Sequence, residues 1–402
     1  VSILDSGKPQ GKARGEVEAT VTRLERTTME MDRFLGDFIP GDWSEETLES
    51  EGIVKREPYG VILAISPFNY PLFISASKIV PGILSGNAVI LKPPSADPIT
   101  PILLVRALEV AGIPKNSFSV LTASGREINP LVEDERIQKI TFTGSTRVGE
   151  KIMKKAGIKS FHMELGGKDP AVVLSDADLD ETAEKITGGI TSYSGQRCDA
   201  IRMILGVKDI YADLKEKLTE RLSKIEPKNP LEDEDAIMGP LIDNESAEEI
   251  KNAHDDAVEK GANPLLEFDR SGRYVSPTLI EVDKENLSEL DAFKKEIFGP
   301  LSLLIEVDDM EEAIKTANSS KFGLDGSVFG KDETKVRRVA RELEVGAVFV
   351  NEYPRHGIGY YPFGGFKNSG VGKEGVGYSV KELTTSKTIV HNFKGYGVWD
   401  YT

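Results

Sequence analysis

The chain has 402 residues, with 66 acidic and 50 basic side chains and a formal net charge of −16. Surplus Lys and Arg hold phosphate surfaces, so this balance excludes nucleic acid as the main partner and excludes a polybasic membrane anchor. Hydrophobic residues make up 39% and charged residues 29%, as in an ordinary globular protein, and the length predicts two or three domains.

Residues 8–38 are polar with a weak helical period through Val17, Val21 and Leu24. Residues 41–52 are acidic and read as a loop. Strands and helices then alternate. A buried strand is predicted over 61–65, a helix over 73–84 ended by Gly86 and Asn87, and a strand over 88–91 stopped by Pro93 and Pro94. A helix follows over 102–111, strands over 118–121 and 139–142, a helix over 147–156 and a strand over 171–174. A second run has helices over 182–192, 210–225 and 247–260, strands over 201–207, 301–307 and 345–350, and a charged loop over 227–240. Residues 353–375 are rich in Gly and aromatics without a period. Residues 384–392 read as a strand with no partner nearby in the sequence. This alternation predicts an α/β fold whose parallel sheets are covered on both faces. The longest apolar runs, such as 61–66, fall far short of the ~20 residues of a membrane span. No basic stretch followed by an apolar one opens the chain, so no signal peptide is expected.

The sole cysteine is Cys198, which rules out an internal disulfide and a multi-cysteine metal site. His162, His254, His356 and His391 are scattered without metal-ligand spacing, so no metal is expected. A reducing cytoplasm suits this composition.

Several segments carry candidate chemistry. Gly370 to Gly375 spells G-x-G-x-x-G, but it follows a polar Gly-rich loop rather than a strand and reads as a turn. Gly144-Ser145-Thr146 has the better context, because a strand runs through it into a helix whose free N–H groups suit a pyrophosphate. Lys92 ends a strand, where parallel sheets bind ligands. Cys198 follows a Gly turn beside Arg197, and a neighbouring cation lowers a thiol pKa. Glu164 stands beside Gly166 and Gly167 and is a carboxylate able to activate water. Asn69, in Pro67-Phe68-Asn69-Tyr70-Pro71, is a rigid amide able to meet an oxyanion. Taken singly, most of these read as turns, caps or surface groups.

Together and in order, SPFNYP (66–71), LKPPS (91–95), FTGSTRVG (142–149), MELGGK (163–168), GQRCDA (195–200), GPLID (239–243), EIFGP (296–300) and PFGGFKNSG (362–370) resemble the aldehyde dehydrogenase superfamily across nearly the whole chain. The resemblance implies that Cys198 attacks the aldehyde carbon while the Asn69 amide and the Cys198 backbone N–H hold the oxyanion. Hydride then leaves for the nicotinamide, and Glu164 activates the water that hydrolyses the thioester. It implies Lys92 at the adenosine ribose, Gly144 and Ser145 at the pyrophosphate, Glu296 at the nicotinamide ribose, and Leu165 and Phe298 packed nearby. NAD-preferring members place Glu three residues after the lysine. Ser95 stands there instead and does not repel a 2′-phosphate, so NADP is favoured, with NAD as the alternative.

Within the superfamily the chain is most similar to the non-phosphorylating glyceraldehyde-3-phosphate dehydrogenases, through REPYGVILAISPFNYPL, KPPS and SGQRCDAIR, with an archaeal flavour in KGYGVWDY. This implies irreversible oxidation of glyceraldehyde 3-phosphate to 3-phosphoglycerate, with Tyr70, Arg197 and Arg355 on the substrate phosphate. It also implies one further N-terminal arginine, among Arg23, Arg26 and Arg33. Residues 354–361 depart from the bacterial pattern. A dehydrogenase for lactaldehyde, glyceraldehyde or a semialdehyde is the alternative. A non-catalytic member is disfavoured, because Cys198 and Glu164 are both present.

The implied fold is a doubly wound, Rossmann-like cofactor domain (1–39 and 59–168), an α/β catalytic domain (169–370) and a small β oligomerisation element (40–58 and 384–402). A homotetramer is expected, with a dimer as the alternative. Family members carry several dozen residues ahead of the segment matching 6–15, so a truncation or an incomplete record is expected here.

Overall fold

The computed structural model describes residues 1–31 and 36–393. Its frame is a six-stranded sheet and a seven-stranded sheet. In the first, Ser160–Glu164, Ile137–Thr143, Val61–Ile65, Ala88–Lys92 and Phe118–Val120 lie side by side and parallel, and Gly370–Val371 adds an antiparallel edge. Ile62, Leu63 and Ala64 are fully buried. A continuous apolar strand of this kind marks a parallel sheet covered on both faces. After Val61–Ile65 the chain builds outward through Ala88–Lys92, then returns to place Ile137–Thr143 on the other side. This reversal opens a crevice beyond the carboxyl ends of the two central strands, where ligands bind in such sheets.

The second sheet runs, in spatial order, Asn263–Pro264, Thr278–Glu281, Leu301–Val307, Ile201–Val207, Asp169–Val173, Asp325–Phe329 and Ala347–Val350. All its neighbours are parallel except the short first strand. The partner missing for 384–392 is distant in sequence. Thr384–Asn392 pairs antiparallel along the whole of Ser50–Pro58, which also pairs with Gly36–Pro40. This three-stranded sheet stands apart from the other two. The rest of the expected oligomerisation element, beyond residue 393, lies outside the described residues.

The structure adds elements that the sequence pattern hid. Ser160–Glu164, Thr278–Glu281 and Asp325–Phe329 are strands, and Met310–Asn318 and Glu333–Glu342 are helices. The weakly periodic N-terminal stretch is a helix, Gln10–Glu30. Among the described residues, no helix is long and apolar enough to cross a membrane, and no group of three His, Cys, Asp or Glu side chains is placed to hold a metal ion.

Candidate active site

Two cavities meet at one wall. The first, of about 990 Å³, occupies the crevice beyond the first sheet and reaches Cys198. The second, of about 390 Å³, lies between the helix Gln10–Glu30 and the loop 353–363. Thr143, Glu164 and Cys198 line both.

The loop that leads into Cys198 is held under strain. Tyr193, Ser194 and Gly195 have φ of 53°, 54° and 67°, a left-handed conformation that is costly for the two residues bearing side chains. Buried polar contacts fix it. Ser194 Oγ donates to the Gly239 carbonyl at 2.8 Å and accepts from the Gly239 N–H at 3.0 Å. Gln196 Oε1 accepts from the Ile242 N–H at 2.8 Å. Arg202 donates to the carbonyls of Gly299, at 2.6 Å, and of Gly195.

The Asn69 loop is anchored from the N-terminal helix. Lys8 is fully buried, pairs with Glu16 and donates to the Asn69 carbonyl at 2.7 Å. Glu16 in turn accepts from the Leu72 and Phe73 N–H groups at 2.9 and 3.0 Å, so it caps the helix Pro71–Leu84. The Asn69 amide is buried. It donates one N–H to the Gln196 carbonyl at 3.0 Å, beside the thiol, and keeps a second N–H for another acceptor.

Charge around the thiol is mostly negative. Burial, then Asp199, Glu296, Asp169 and Asp325, push the Cys198 pKa well above its ordinary value. Burial likewise raises Glu164 far above the carboxylate range, with Glu374 adding to it. A carboxyl group raised in this way approaches the proton affinity that a general base needs near neutral pH. One Glu164 oxygen bonds to His162 at 3.0 Å. The other, Oε2, is buried without a partner among the described residues.

The first cavity gathers the residues expected at a dinucleotide. Lys92 lies 8% exposed, and burial lowers its pKa. Its ammonium reaches Ser95 Oγ at 3.4 Å and makes no ion pair among the described residues. Ser145 stands at the N-cap of Thr146–Ala156 without a side-chain cap, so the first N–H groups of that helix are open. A Cβ on Gly144 would sit 2.6 Å from the Phe142 ring, so a side chain in that turn would have to displace the ring. Glu296 lies against Gly166, where a Cβ would collide with its carboxylate, and accepts from the Gly167 N–H at 3.4 Å. Burial raises Glu296 to about 7, against the pull of Arg202. Phe298 meets Phe68 edge to face at 5.8 Å, and Leu165 lines the same space. Open N–H groups, a glycine turn, a buried unpaired ammonium and a carboxylate fit the phosphates and sugars of a nicotinamide dinucleotide. Arg126, Lys151 and Lys155 also line this cavity, and sequence reasoning passed over them. The segment Gly370 to Gly375 begins as the edge strand Gly370–Val371 and does not line the crevice; of its residues Glu374 lines the second cavity.

The second cavity brings Tyr70, Arg197 and Arg355 together. Arg197 is buried and already engaged, donating to Asp199 and to the Pro354 carbonyl, both at 2.6 Å. Burial alone would weaken its hold on the proton, but Asp199, Tyr70 and Tyr353 more than reverse that. Its Nε is buried without a partner among the described residues. Arg355 is exposed and pairs with Glu352 at 2.7 Å. The expected N-terminal arginine is not free. Arg23 lines the cavity, yet it is spent on Ser379 at 3.1 Å and Glu374 at 3.7 Å. Arg26 is exposed and bonds to Met29 at 3.9 Å, and Arg33 lies outside the described residues. The residue that was missed is Lys12. It lines the cavity and has no ion pair among the described residues, and burial, then Arg197 and Arg355, lower its pKa. Its signal in the sequence is a polar stripe, Lys12, Glu16 and Arg23, at helical spacing.

Comparison with known proteins agrees with this geometry. Residues 1–389 match the aldehyde dehydrogenase family. An NADP-dependent glyceraldehyde-3-phosphate dehydrogenase of Streptococcus equinus is 39% identical over 380 residues, 94% of this chain and 79% of that one. A lactaldehyde dehydrogenase of Methanococcus aeolicus is 35% identical over 396 residues, 97% of this chain and 83% of that one. The crystal structure of NADP-dependent glyceraldehyde-3-phosphate dehydrogenase from Bacillus halodurans, complexed with NADP, superposes with a TM-score of 0.92 at 38% identity, covering 98% of this chain and 82% of that one. The strained cysteine loop, the shared wall and the glycine-lined crevice are therefore those of a chain that belongs to the aldehyde dehydrogenase family.

Proposed function

We propose that the chain oxidises an aldehyde to a carboxylic acid with NADP or NAD, and that its substrate is glyceraldehyde 3-phosphate, giving 3-phosphoglycerate. The observation that carries this reading is the wall of Cys198 and Glu164, open on one side to a dinucleotide-sized crevice and on the other to a cation-lined pocket.

Cys198 Sγ, once it has lost its proton, adds to the aldehyde carbon. The carbonyl oxygen takes up negative charge and meets the free N–H of Asn69 and the Cys198 backbone N–H. The bound nicotinamide supplies the acceptor for the two electrons and the hydrogen that leave this carbon. Glu164 then takes a proton from water, the water oxygen bonds to the thioester carbon, and the thiolate departs. Hydrolysis to a free acid makes the oxidation irreversible. Lys92, Gly144, Ser145, Leu165, Glu296 and Phe298 hold the cofactor. Ser95, with Arg126, Lys151 and Lys155 in the same cavity, favours a 2′-phosphate and hence NADP. Tyr70, Arg197, Arg355 and Lys12 hold the substrate phosphate. The exposed strand Thr384–Asn392 is the surface offered for pairing between subunits in a dimer or tetramer.

One observation favours a second reading. Arg197 is neutralised by Asp199 and Arg355 is tied to Glu352, so the pocket holds fewer free cations than a dianion would ideally meet. An uncharged aldehyde such as lactaldehyde fits that arrangement. Reduction of NADP and NAD by glyceraldehyde 3-phosphate, lactaldehyde and succinate semialdehyde, without inorganic phosphate, separates the two. Preference for the phosphorylated aldehyde is expected, and preference for lactaldehyde would leave Cys198, Asn69 and Glu164 in place and remove the phosphate role.

A further inference from the structure

The strand that ends in Glu164 also carries His162, buried two residues earlier. Its ring is hydrogen-bonded at both nitrogens. Nε2 meets Glu164 Oε1 at 3.0 Å, and Nδ1 meets Thr141 Oγ1 on the neighbouring strand at 3.0 Å. Lys78 Nζ in turn donates to Thr141 Oγ1 at 3.1 Å.

The chemistry of the partners fixes the direction of this chain. A lysine ammonium only donates, so Thr141 Oγ1 accepts from Lys78 and its own hydrogen is free for His162 Nδ1. An ionised Glu164 only accepts, so the single hydrogen of a neutral imidazole sits on Nε2, which donates to Glu164 Oε1, and Nδ1 accepts from the Thr141 hydroxyl. The surrounding charge agrees. Burial, then Lys78, Lys139 and Arg23, disfavour a protonated imidazole. Around Glu164 stand Glu374, Lys78, Lys373 and Asp325. Of the two carboxylate oxygens, Oε1 is occupied by the imidazole, while Oε2 has no partner among the described residues.

We propose that His162 is a positioning residue, a neutral imidazole that holds Glu164 by Oε1 and so leaves Oε2 as the oxygen that takes the proton from water. This rests on the reading of Glu164 as the general base. A donor to the ionised carboxylate favours that form, so removing the donor raises the proton affinity of Glu164 and moves the acid limb of deacylation to higher pH.

Hydrolysis of p-nitrophenyl acetate tests the proposal without a cofactor or a chosen aldehyde. Sγ attacks the ester carbonyl and p-nitrophenolate leaves as a burst. The acetyl thioester is then cleared by water, whose proton passes to Glu164. His162→Leu is expected to keep the burst, slow the steady state about 10- to 100-fold, as loss of a hydrogen bond to a charged group does, and shift the acid limb upward. His162→Gln, which keeps an N–H donor, is expected to restore most of the limb. An unchanged limb in His162→Leu, or equal shifts in Leu and Gln, would overturn the proposal. If the Leu variant does not fold, nitrogen-15 NMR of the four histidines in the intact protein decides it. A neutral, Nε2-protonated His162 is expected, and an Nδ1-protonated or charged ring would contradict it. Glu164→Gln separates the two layers. If it deacylates normally, the general-base reading fails. If it stalls while the His162 variants behave as wild type, only the role of His162 fails.

Discussion

The two cavities that share Cys198 and Glu164 are built in opposite ways. The crevice side is made of strand ends and turns, where Ile65, Lys92 and Thr143 each finish a parallel strand and several of the next few residues line the cavity. Its specificity lies in backbone N–H groups and in glycines with no room for a Cβ. The pocket side has no such frame. Lys12 comes from an N-terminal helix, Tyr70 from a loop, Arg197 from the turn before Cys198 and Arg355 from a loop near the C-terminus. A common cofactor suits a site written into local turns. A variable substrate suits one assembled from side chains distant in sequence, which can change singly without disturbing a strand.

That contrast sets the order of the effects expected from substitution. Cys198→Ser belongs to the shared wall and is expected to lower turnover by at least about 10⁴-fold with every aldehyde and either cofactor. Steady-state reduction of NADP near the wild-type rate would remove the nucleophile from both cavities at once. On the pocket side, Lys12→Met and Arg355→Ala are each expected to raise KM for glyceraldehyde 3-phosphate about 10- to 100-fold, since a hydrogen bond to a charged group contributes ~1.5–3 kcal/mol. Lactaldehyde should barely respond, and equal losses on both substrates would mean that these cations hold structure rather than a phosphate. Arg197 is a poorer probe, because its removal also strands Asp199 in the interior.

On the crevice side, Gly144→Ala forces a methyl group against the Phe142 ring. Overpacking of this kind costs ~1–3 kcal/mol, so KM for the cofactor should rise while KM for the aldehyde stays put. Titration of cofactor binding by fluorescence reads this directly, and an unchanged affinity would mean that the turn does not meet the pyrophosphate. The smallest effect expected is a change of preference. Ser95→Glu brings a carboxylate close to Lys92 and should move the ratio of kcat/KM for NADP over NAD toward NAD by about 10-fold, a shift of ~1.4 kcal/mol.

The same contrast governs how much could be read from the sequence. Strands 61–65 and 88–91 and the Gly144 turn were legible because an apolar run ends in Gly, Pro or Ser punctuation, the second strand running one residue further, to Lys92. Ser160–Glu164 escaped because His162 and Glu164 interrupt its apolar pattern, and they are buried bonded to each other, with Thr141 on the other ring nitrogen. Asp325–Phe329 escaped for the same reason. Asp325, Gly326 and Ser327 are buried, with Asp325 held by His356 at 2.6 Å across the sheet edge. Polar residues satisfied by distant partners look like loop in one dimension. The Glu164 motif could be recognised by resemblance, whereas the imidazole that holds it could not. Lys12 is hidden for a simpler reason, since a lysine can meet an anion as well as an arginine can and the sequence alone does not choose between them.

The central claim is that Cys198 and Glu164 divide the reaction between them at the wall between the cavities. Rapid mixing of Glu164→Gln with NADP and glyceraldehyde 3-phosphate tests it most directly. The account predicts a burst of reduced cofactor of about one equivalent per active site, followed by turnover slowed about 10²- to 10⁴-fold, because the thioester forms and cannot be hydrolysed. Wild-type turnover in that variant, or slow turnover with no burst, would contradict it.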